Sequence, residues 1–269
     1  MKATVFGAGG FIGSRLARRL EGEGWEVLAL ARGDERWRDA ELGHAFFCVG
    51  LTADFRSRPF ETIDAHVGFA AEVLRTARFE SFLYLSSTRV YARSGGGDET
   101  TPLVVDPADP SDLYNLSKLM GEAACLAVDR PQARVARLSN VYGGDAGSDN
   151  FLASILREAV ATGAIRLRTG LDSEKDYVAL EDVLAALVRI SVAGRERLYN
   201  VASGVNTRHE EIVLAVQALT GCSLSVAPDS PVTRFPAIAI DRLRVLGVNP
   251  SSSVVAALPM LIDQARGER

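Results

Sequence analysis

Cysteine, histidine and methionine are scarce in this chain of 269 residues, with three of each. Cys48, Cys125 and Cys222 are far apart and odd in number. They define neither a disulfide framework nor a zinc-type spacing, and a reducing cytoplasm is the expected location. His44, His66 and His209 are equally dispersed, so no metal site is expected. An excess of positive charge is also missing. The formal net charge is -4 and the pI about 5.5, which argues against nucleic acid or an anionic membrane as main partner, since both need a basic face. No apolar run reaches membrane-spanning length, and the first residues lack the long apolar core of a secretory signal. Neither a Gly/Ser- or Pro-rich linker nor an internal repeat divides the chain, so two lobes sharing one body are expected.

What is present is a core and an alternation of elements. Hydrophobic residues make up 47% of the chain. Thr4–Phe6 reads as a short buried strand. Ile12, Leu16, Ala17 and Leu20 fall on one face of a following helix, which Gly22 and Gly24 stop. Val27–Ala31 returns as a second strand, and the β-α-β order predicts a parallel sheet. Further strands are expected at Ala45–Val49, Phe82–Leu85, Arg134–Leu138, Ile165–Arg168, Leu198–Val201 and Leu224–Val226. Helices are expected at Arg36–Leu42, Ile63–Arg75, Leu113–Val128, Phe151–Ala161, Asp182–Val192, His209–Thr220 and near Ser253–Arg266. Arg93–Pro110, rich in Gly, Pro and Asp, reads as a loop, and its Gly95-Gly-Gly97 is either a mobile lid or plain slack.

Between the first strand and the first helix stand Gly7, Gly10 and Gly13. Glycine there allows positive φ and lets a pyrophosphate approach a helix N-terminus closely. The spacing is Gly-x-x-Gly-x-x-Gly instead of the commoner Gly-x-Gly-x-x-Gly, but strand-turn-helix is the context a dinucleotide site requires. The end of the second strand discriminates NAD from NADP. Arg32 there tilts the reading to NADP, because an Arg accommodates a 2′-phosphate. The alternative is a solvated Arg32 with Asp34 binding the ribose.

Tyr114 and Lys118 stand four residues apart, on one face of the expected helix. A free Tyr titrates near 10 and is a poor acid-base catalyst at neutral pH. A neighbouring ammonium stabilises the phenolate, so the pair is a tuned proton-transfer device.

These segments together resemble an extended short-chain dehydrogenase/reductase, of the NAD(P)-dependent epimerase/dehydratase family that mostly acts on nucleotide sugars. Gly7-Ala-Gly-Gly10-Phe11-Ile12-Gly13 matches the cofactor turn. Leu85-Ser-Ser-Thr-Arg-Val-Tyr91 is similar to the strand that delivers the catalytic Ser/Thr, which makes Ser87 the candidate. Tyr114-Asn-Leu-Ser-Lys118, Arg137-Leu-Ser-Asn140-Val-Tyr-Gly143, Lys175-Asp-Tyr-Val-Ala-Leu-Glu-Asp182, Tyr199–Ser203 and Asp241–Gly247 follow in family order.

The fold so implied is α/β: a Rossmann-type doubly wound parallel sheet over 1–145 plus about 176–203. A smaller α/β substrate lobe takes about 146–175 and 204–269. The resemblance implies Tyr114 as acid-base catalyst, Ser87 holding the same substrate oxygen, and Lys118 lowering the Tyr114 pKa and bonding the nicotinamide ribose. Gly50-Leu51-Thr52 occupies the strand end beside the cofactor. Asn140 and Arg234 are candidate substrate-phosphate contacts, with Lys175 a weaker one. Ser86 and Thr88 flank Ser87 on the opposite strand face, where core hydrogen bonding is their expected task, and Thr88 stays a candidate substrate contact. Asp176 and Asp182 are expected to fix loop and helix starts.

Two departures stand out. The stretch from Arg32 to Ala45 is too short for the usual next strand of the sheet. Thr88 and Arg89 occupy the positions of the acid-base pair of the family's 4,6-dehydratases, which argues against dehydration. The resemblance further implies a homodimer built on the Ile63–Arg75 and Leu113–Val128 helices. The competing readings are a reductase of a non-sugar carbonyl and a non-catalytic dinucleotide sensor on the same fold.

Overall fold

The structure is a computed structural model, and it describes residues 1–52, 54–144 and 150–267. The expected lobe boundary at 145–146 lies outside the described residues. Six parallel strands form the main sheet in the order β2 (Glu26–Leu30), β1 (Lys2–Phe6), β3 (His44–Phe47), β4 (Ser81–Ser87), β5 (Ala133–Leu138) and β9 (Leu198–Val201). Alternate residues of each strand enter different cores, as the two-residue period of a strand dictates. Ala3, Val5, Phe46, Leu83 and Leu85 pack with α1 (Phe11–Gly22) and α6 (Leu180–Ala193). Phe6, Ala45, Phe47, Phe82 and Tyr84 pack on the other face with α3 (Phe69–Thr76) and α4 (Leu113–Ala127). Both faces are covered, which is why these strands read as continuous apolar runs.

The shortened stretch after Arg32 has its expected consequence: β2 is the edge of the sheet. The helix expected at Arg36–Leu42 is not there. Residues 31–43 must cross from one end of the sheet to the other, beside β1, and they do so as turns. Trp37, 2% exposed, fills the space a strand and helix would otherwise take, with its ring edge-on to Phe6 at 6.1 Å and Phe69 at 5.8 Å.

The helix expected at Ile63–Arg75 begins earlier and is interrupted. α2 (Pro59–Ile63) runs into a wide π-helical turn, Asp64–Gly68, before α3. The Tyr84 hydroxyl donates to the His66 carbonyl at 3.0 Å in that turn, a side-chain insertion of the kind that widens helices. Against it, α4 presents Gly121, where a Cβ would lie 2.3 Å from the Tyr84 hydroxyl oxygen.

A second core gathers α5 (Phe151–Thr162), α7 (His209–Thr220) and α9 (Val254–Gly267) around Ile165, Leu167 and Tyr177. Two small sheets accompany the cores, the first touching both and the second lying within this second one. One is β10 (Asn206–Arg208), β8 (Glu174–Ala179) and β6 (Asn140–Tyr142), and the other is β11 (Ser223–Val226) with β7 (Ala164–Leu167). β6, β8 and β10 were not foreseen, being short and only partly apolar. The segment Ile238–Val248, expected with the second lobe, packs in the first core, where α8 (Asp241–Val245) inserts Leu243.

The triglycine is not a free lid at its C-terminal end. A Cβ on Gly97 would meet the Ala237 carbonyl oxygen at 2.3 Å, and the Gly97 carbonyl accepts from Ala239 at 3.0 Å and the Asn200 side chain at 2.9 Å. Glycine is required there for close approach of two chain segments, which slack does not explain.

Candidate active site

The glycine turn follows directly from β1. Gly7 has φ of +77°, and the Gly7 and Ala8 amides both donate to the Leu30 carbonyl at 3.0 Å. A Cβ on Gly13 would lie 2.3 Å from the Gly7 carbonyl oxygen, so only glycine lets the helix pack on its own turn. Gly10 is the N-cap of α1, no side chain caps the helix, and its first turn holds no acid. The positive helix end is thereby kept for an outside anion. Phe11 and Ile12 sit behind the turn, partly buried against the core. A cleft of about 640 Å³ starts here, walled by Gly7, Gly10, Arg32, Trp37, Gly50 and Leu51 among others, a size suited to a dinucleotide. Thr52 is exposed beyond this wall. The residues fit the cofactor that the sequence implies.

At the cleft's outer end β2 stops at Leu30 and is followed by Ala31, so no carboxylate stands at the strand end itself. Arg32 is exposed and lines the cleft. Asp34, the next acid, is engaged by Arg36, whose Nε lies 3.0 Å from both carboxylate oxygens and whose second guanidinium nitrogen is 2.6 Å from Oδ2. Those bonds hold the Asp34 carboxyl below its ordinary range.

At the inner end, Tyr114 and Lys118 project from α4, 7% and 4% exposed. Ser87, the last residue of β4, lies beside the Tyr114 phenol, and its hydroxyl accepts from the Arg89 amide at 3.2 Å. Lys118 Nζ donates to the Leu85 carbonyl at 2.9 Å and lies 5.9 Å from the Tyr114 ring centre. It also reaches the cofactor cleft: a Cβ on Gly50 would be 3.4 Å from Nζ. Burial drives Lys118 down to about 7, against the opposing pull of Glu122. Tyr114 departs from the simple pair reading. Burial raises its phenol, while the Ser87 hydroxyl and the Arg89 guanidinium act to lower it. The cation acting on the Tyr114 phenol here is therefore Arg89, because the Lys118 ammonium is turned to Leu85.

Two site residues were missed. His66, from the π-turn, is fully buried and edge-on to Tyr114 at 5.5 Å. A lone His on a helix carries no sequence signal of this placement. Arg89 follows Ser87 in a short 3₁₀ turn, Thr88–Tyr91, and its guanidinium carbon lies 5.6 Å from the Tyr114 ring centre and 5.3 Å from Phe55. Its signal was inside the Ser-Ser-Thr-Arg-Val-Tyr segment, read there only for what it excluded.

Below the site, Glu122 accepts from Arg137 at 2.6 and 3.0 Å and from Ser86 at 2.5 Å, and Arg137 donates to Tyr91 at 2.6 Å. Ser86 thus has the core task expected of it, and Thr88 is buried. A buried ion pair with every partner satisfied specifies how β4 and α4 sit together.

The expected substrate residues are spread wider. Asn140, on β6, donates to the Asp176 carbonyl at 2.8 Å. Arg234 is 62% exposed along its side chain, with Asp172 at 3.7 Å. Lys175 on β8 is half-buried, lowered by burial and then by Arg89. Asp176 accepts from Ser139, Ser203, Gly204 and Val205, which is the loop-fixing role expected. Among the described residues no group of three or more His, Cys, Asp or Glu could hold a metal, and no helix is long and apolar enough to cross a membrane.

A glycine-turned parallel sheet whose cleft reaches Gly50, which abuts the buried Lys118 one helical turn from Tyr114, is the arrangement of dinucleotide-dependent oxidoreductases. The family model described as "NAD dependent epimerase/dehydratase family" matches residues 3–55 and 44–202. The chain belongs to this family and is an enzyme of the extended short-chain dehydrogenase/reductase type. It is 27% identical to a UDP-glucose 4-epimerase of Mycolicibacterium smegmatis, covering 100% of this chain and 99% of the relative. It is 30% identical to a dTDP-4-dehydrorhamnose reductase of Mycobacterium tuberculosis H37Rv, covering 77% and 72% respectively. The fold matches MoeE5 in complex with UDP-glucuronic acid and NAD, with a TM-score of 0.84, 21% identity and full coverage of both chains. It also matches RMD from Pseudomonas aeruginosa complexed with NADPH, at 0.80, 22% identity and coverage of 100% and 99%.

Proposed function

We propose that this enzyme is an NAD(P)-dependent epimerase or ketoreductase of a nucleotide-activated sugar, with Tyr114 as its acid-base catalyst. The observation that carries the reading is the continuity of the cleft. It runs from the Gly7–Gly13 turn to Gly50, and Gly50 abuts Lys118, one helical turn from Tyr114. When bound, NAD(P) supplies the hydride acceptor or donor. The backbone amides at the α1 N-terminus and Gly7–Gly10 hold the diphosphate, and Gly50, Leu51 and Lys118 hold the nicotinamide end. Ser87 orients the substrate oxygen and Tyr114 exchanges its proton. Asn140, Lys175 and Arg234 lie on the substrate side, across the boundary between the two cores.

NADP is the preferred form in this reading. Ala31 offers no ribose carboxylate, Asp34 is occupied by Arg36, and Arg32 stands exposed at the cleft. Epimerase and ketoreductase use the same residues, and both relatives named above fit that division. We also propose a homodimer through the α2 and α4 face, which exposes Phe60 at 77% and Met120 at 59%.

The test is to denature the purified protein and identify released nucleotide by mass spectrometry. Tightly held NAD supports an epimerase and overturns the NADP preference. An empty protein that binds NADPH above NADH supports a ketoreductase. Failure to bind either dinucleotide removes the reading altogether.

A further inference from the structure

Arg89 is a half-buried cation that is not paired with a carboxylate among the described residues, although Asp109 and Asp112 act on it from a distance. Among the described residues no acid lies within ion-pair distance of it, and its side-chain hydrogen bond is a long one, 3.3 Å to the Ser111 carbonyl. The nearest acids, Asp109 and Asp112, are drawn off by Arg93, which pairs with both, the latter at 3.1 Å. Its other neighbours worsen matters: Arg56 and Lys175 are close enough to repel it. A half-buried guanidinium packed on the Tyr114 ring without a direct ion-pair partner is costly, and its fork of donors is suited to a carboxylate.

The diphosphate is not the natural anion at this point. A hexose that presents its 4-oxygen to Tyr114 places its 6-substituent beside that oxygen and its 1-diphosphate at the opposite end of the ring. Arg89 follows two residues after Ser87 and packs on Tyr114 itself, at the reacting end. Arg234, on the segment bridged to β8 and 62% exposed along its side chain, is the separate cation left for the far end.

We propose that Arg89 is a specificity-determining residue that selects nucleotide sugars whose hexose carries a carboxylate. The proposal rests on the nucleotide-sugar reading above. It assigns to Arg89 a contact with the sugar's 6-carboxylate, with Tyr114 and Ser87 acting on the neighbouring oxygen.

The experiment compares kcat/KM for UDP-glucuronate and UDP-glucose, with NAD and NADP each supplied, in the wild type, Arg89→Gln and Arg89→Lys. The nucleotide is common to both substrates, so its own fit cancels from the ratio. The wild type should favour the uronate by about ten-fold or more, the worth of one charge-assisted hydrogen bond. Arg89→Gln should collapse that ratio, and Arg89→Lys should restore part of it. A wild-type preference for the neutral sugar overturns the proposal without any variant. An equal loss on both substrates in Arg89→Gln assigns the residue to the diphosphate and also overturns it, while the nucleotide-sugar reading stands. A wild type that binds dinucleotide yet neither turns over nor binds either sugar in calorimetry overturns both.

Discussion

The ring Nε2 of His66 accepts the backbone N–H of Leu51 at 3.1 Å. A neutral imidazole that accepts at Nε2 carries its proton on Nδ1, which donates to Ser117 Oγ at 2.8 Å, and Ser117 in turn donates to the Tyr114 carbonyl at 2.9 Å. One side chain thus ties the strand end beside the cofactor cleft to the helix that carries Tyr114 and Lys118. Substituting His66→Ala should cost about 2–4 kcal/mol of stability, from a cavity and an unpaired buried N–H, and should weaken dinucleotide binding. Denaturant midpoints and a cofactor titration measure the two effects. A variant that binds cofactor normally would show that His66 does not set the cleft.

His66 also predicts a pH dependence. Burial, then the Lys118 charge, pushes it down to about 2 from an ordinary 6.5. The unfolded chain therefore takes up a proton near 6.5 that the folded protein refuses. The His66 contribution is complete above pH 6.5 and is lost as pH falls below it, by up to about 1.4 kcal/mol per unit. His209, pushed to about 4, and His44 act in the same sense, whereas the Glu99 and half-buried Asp182 carboxyls, held up by loss of solvent, act in the opposite one. Comparing the wild type with His66→Gln at pH 7.5 and pH 5.5 isolates the residue. Its stability advantage should narrow at the lower pH, and a constant gap would contradict the assignment.

Lys118 should trade stability for function. Its ammonium is held at about 7 against an ordinary 10.5, so the unfolded chain binds the proton more readily from about pH 7 to 10.5. Stability tied to this group is full above 10.5 and declines as pH falls towards 7. Lys118→Met removes that burden, and Glu122 keeps Arg137 and Ser86 as partners. The variant should be about 1–3 kcal/mol more stable at pH 7 and have no measurable turnover. A melting temperature below the wild type would refute this.

Tyr114→Phe should lower kcat by about 10²–10⁴-fold while dinucleotide affinity stays within a few-fold, since the phenol exchanges a proton and the ring remains in place. Turnover retained by this variant would remove Tyr114 from the chemistry.

Gly121→Ala tests the packing that holds the site together. Its Cβ would meet the Tyr84 hydroxyl at 2.3 Å and the His66 carbonyl at 2.8 Å, so α4 must move off the π-turn. A loss of about 1–3 kcal/mol is expected, together with lower kcat because Tyr114 moves with the helix. For the dimer, Phe60→Asp with Met120→Glu should yield a monomer in sedimentation, and an unchanged molecular mass would rule out that face.

Much of this protein was legible in local pattern. The Gly7–Gly13 turn, the apolar strands and the Tyr114/Lys118 spacing depend on neighbours a few residues away, and a one-dimensional reading captures such relations. The lost strand after Arg32 could be read from length alone, because a crossover with strand and helix does not fit in 31–43. Tertiary structure decided the rest. Arg36–Leu42 has helical spacing, but burying Trp37 against Phe6 and Phe69 outweighs weak propensity. The π-turn exists because Tyr84, on another element, bonds into it. His66 and Arg89 acquire their relation to Tyr114 only through packing of distant segments, since burial and field are properties of the assembled interior. The same holds for Lys118: sequence spacing placed it on the Tyr114 face, and only the packed interior turned it to Leu85 and drove it down to about 7.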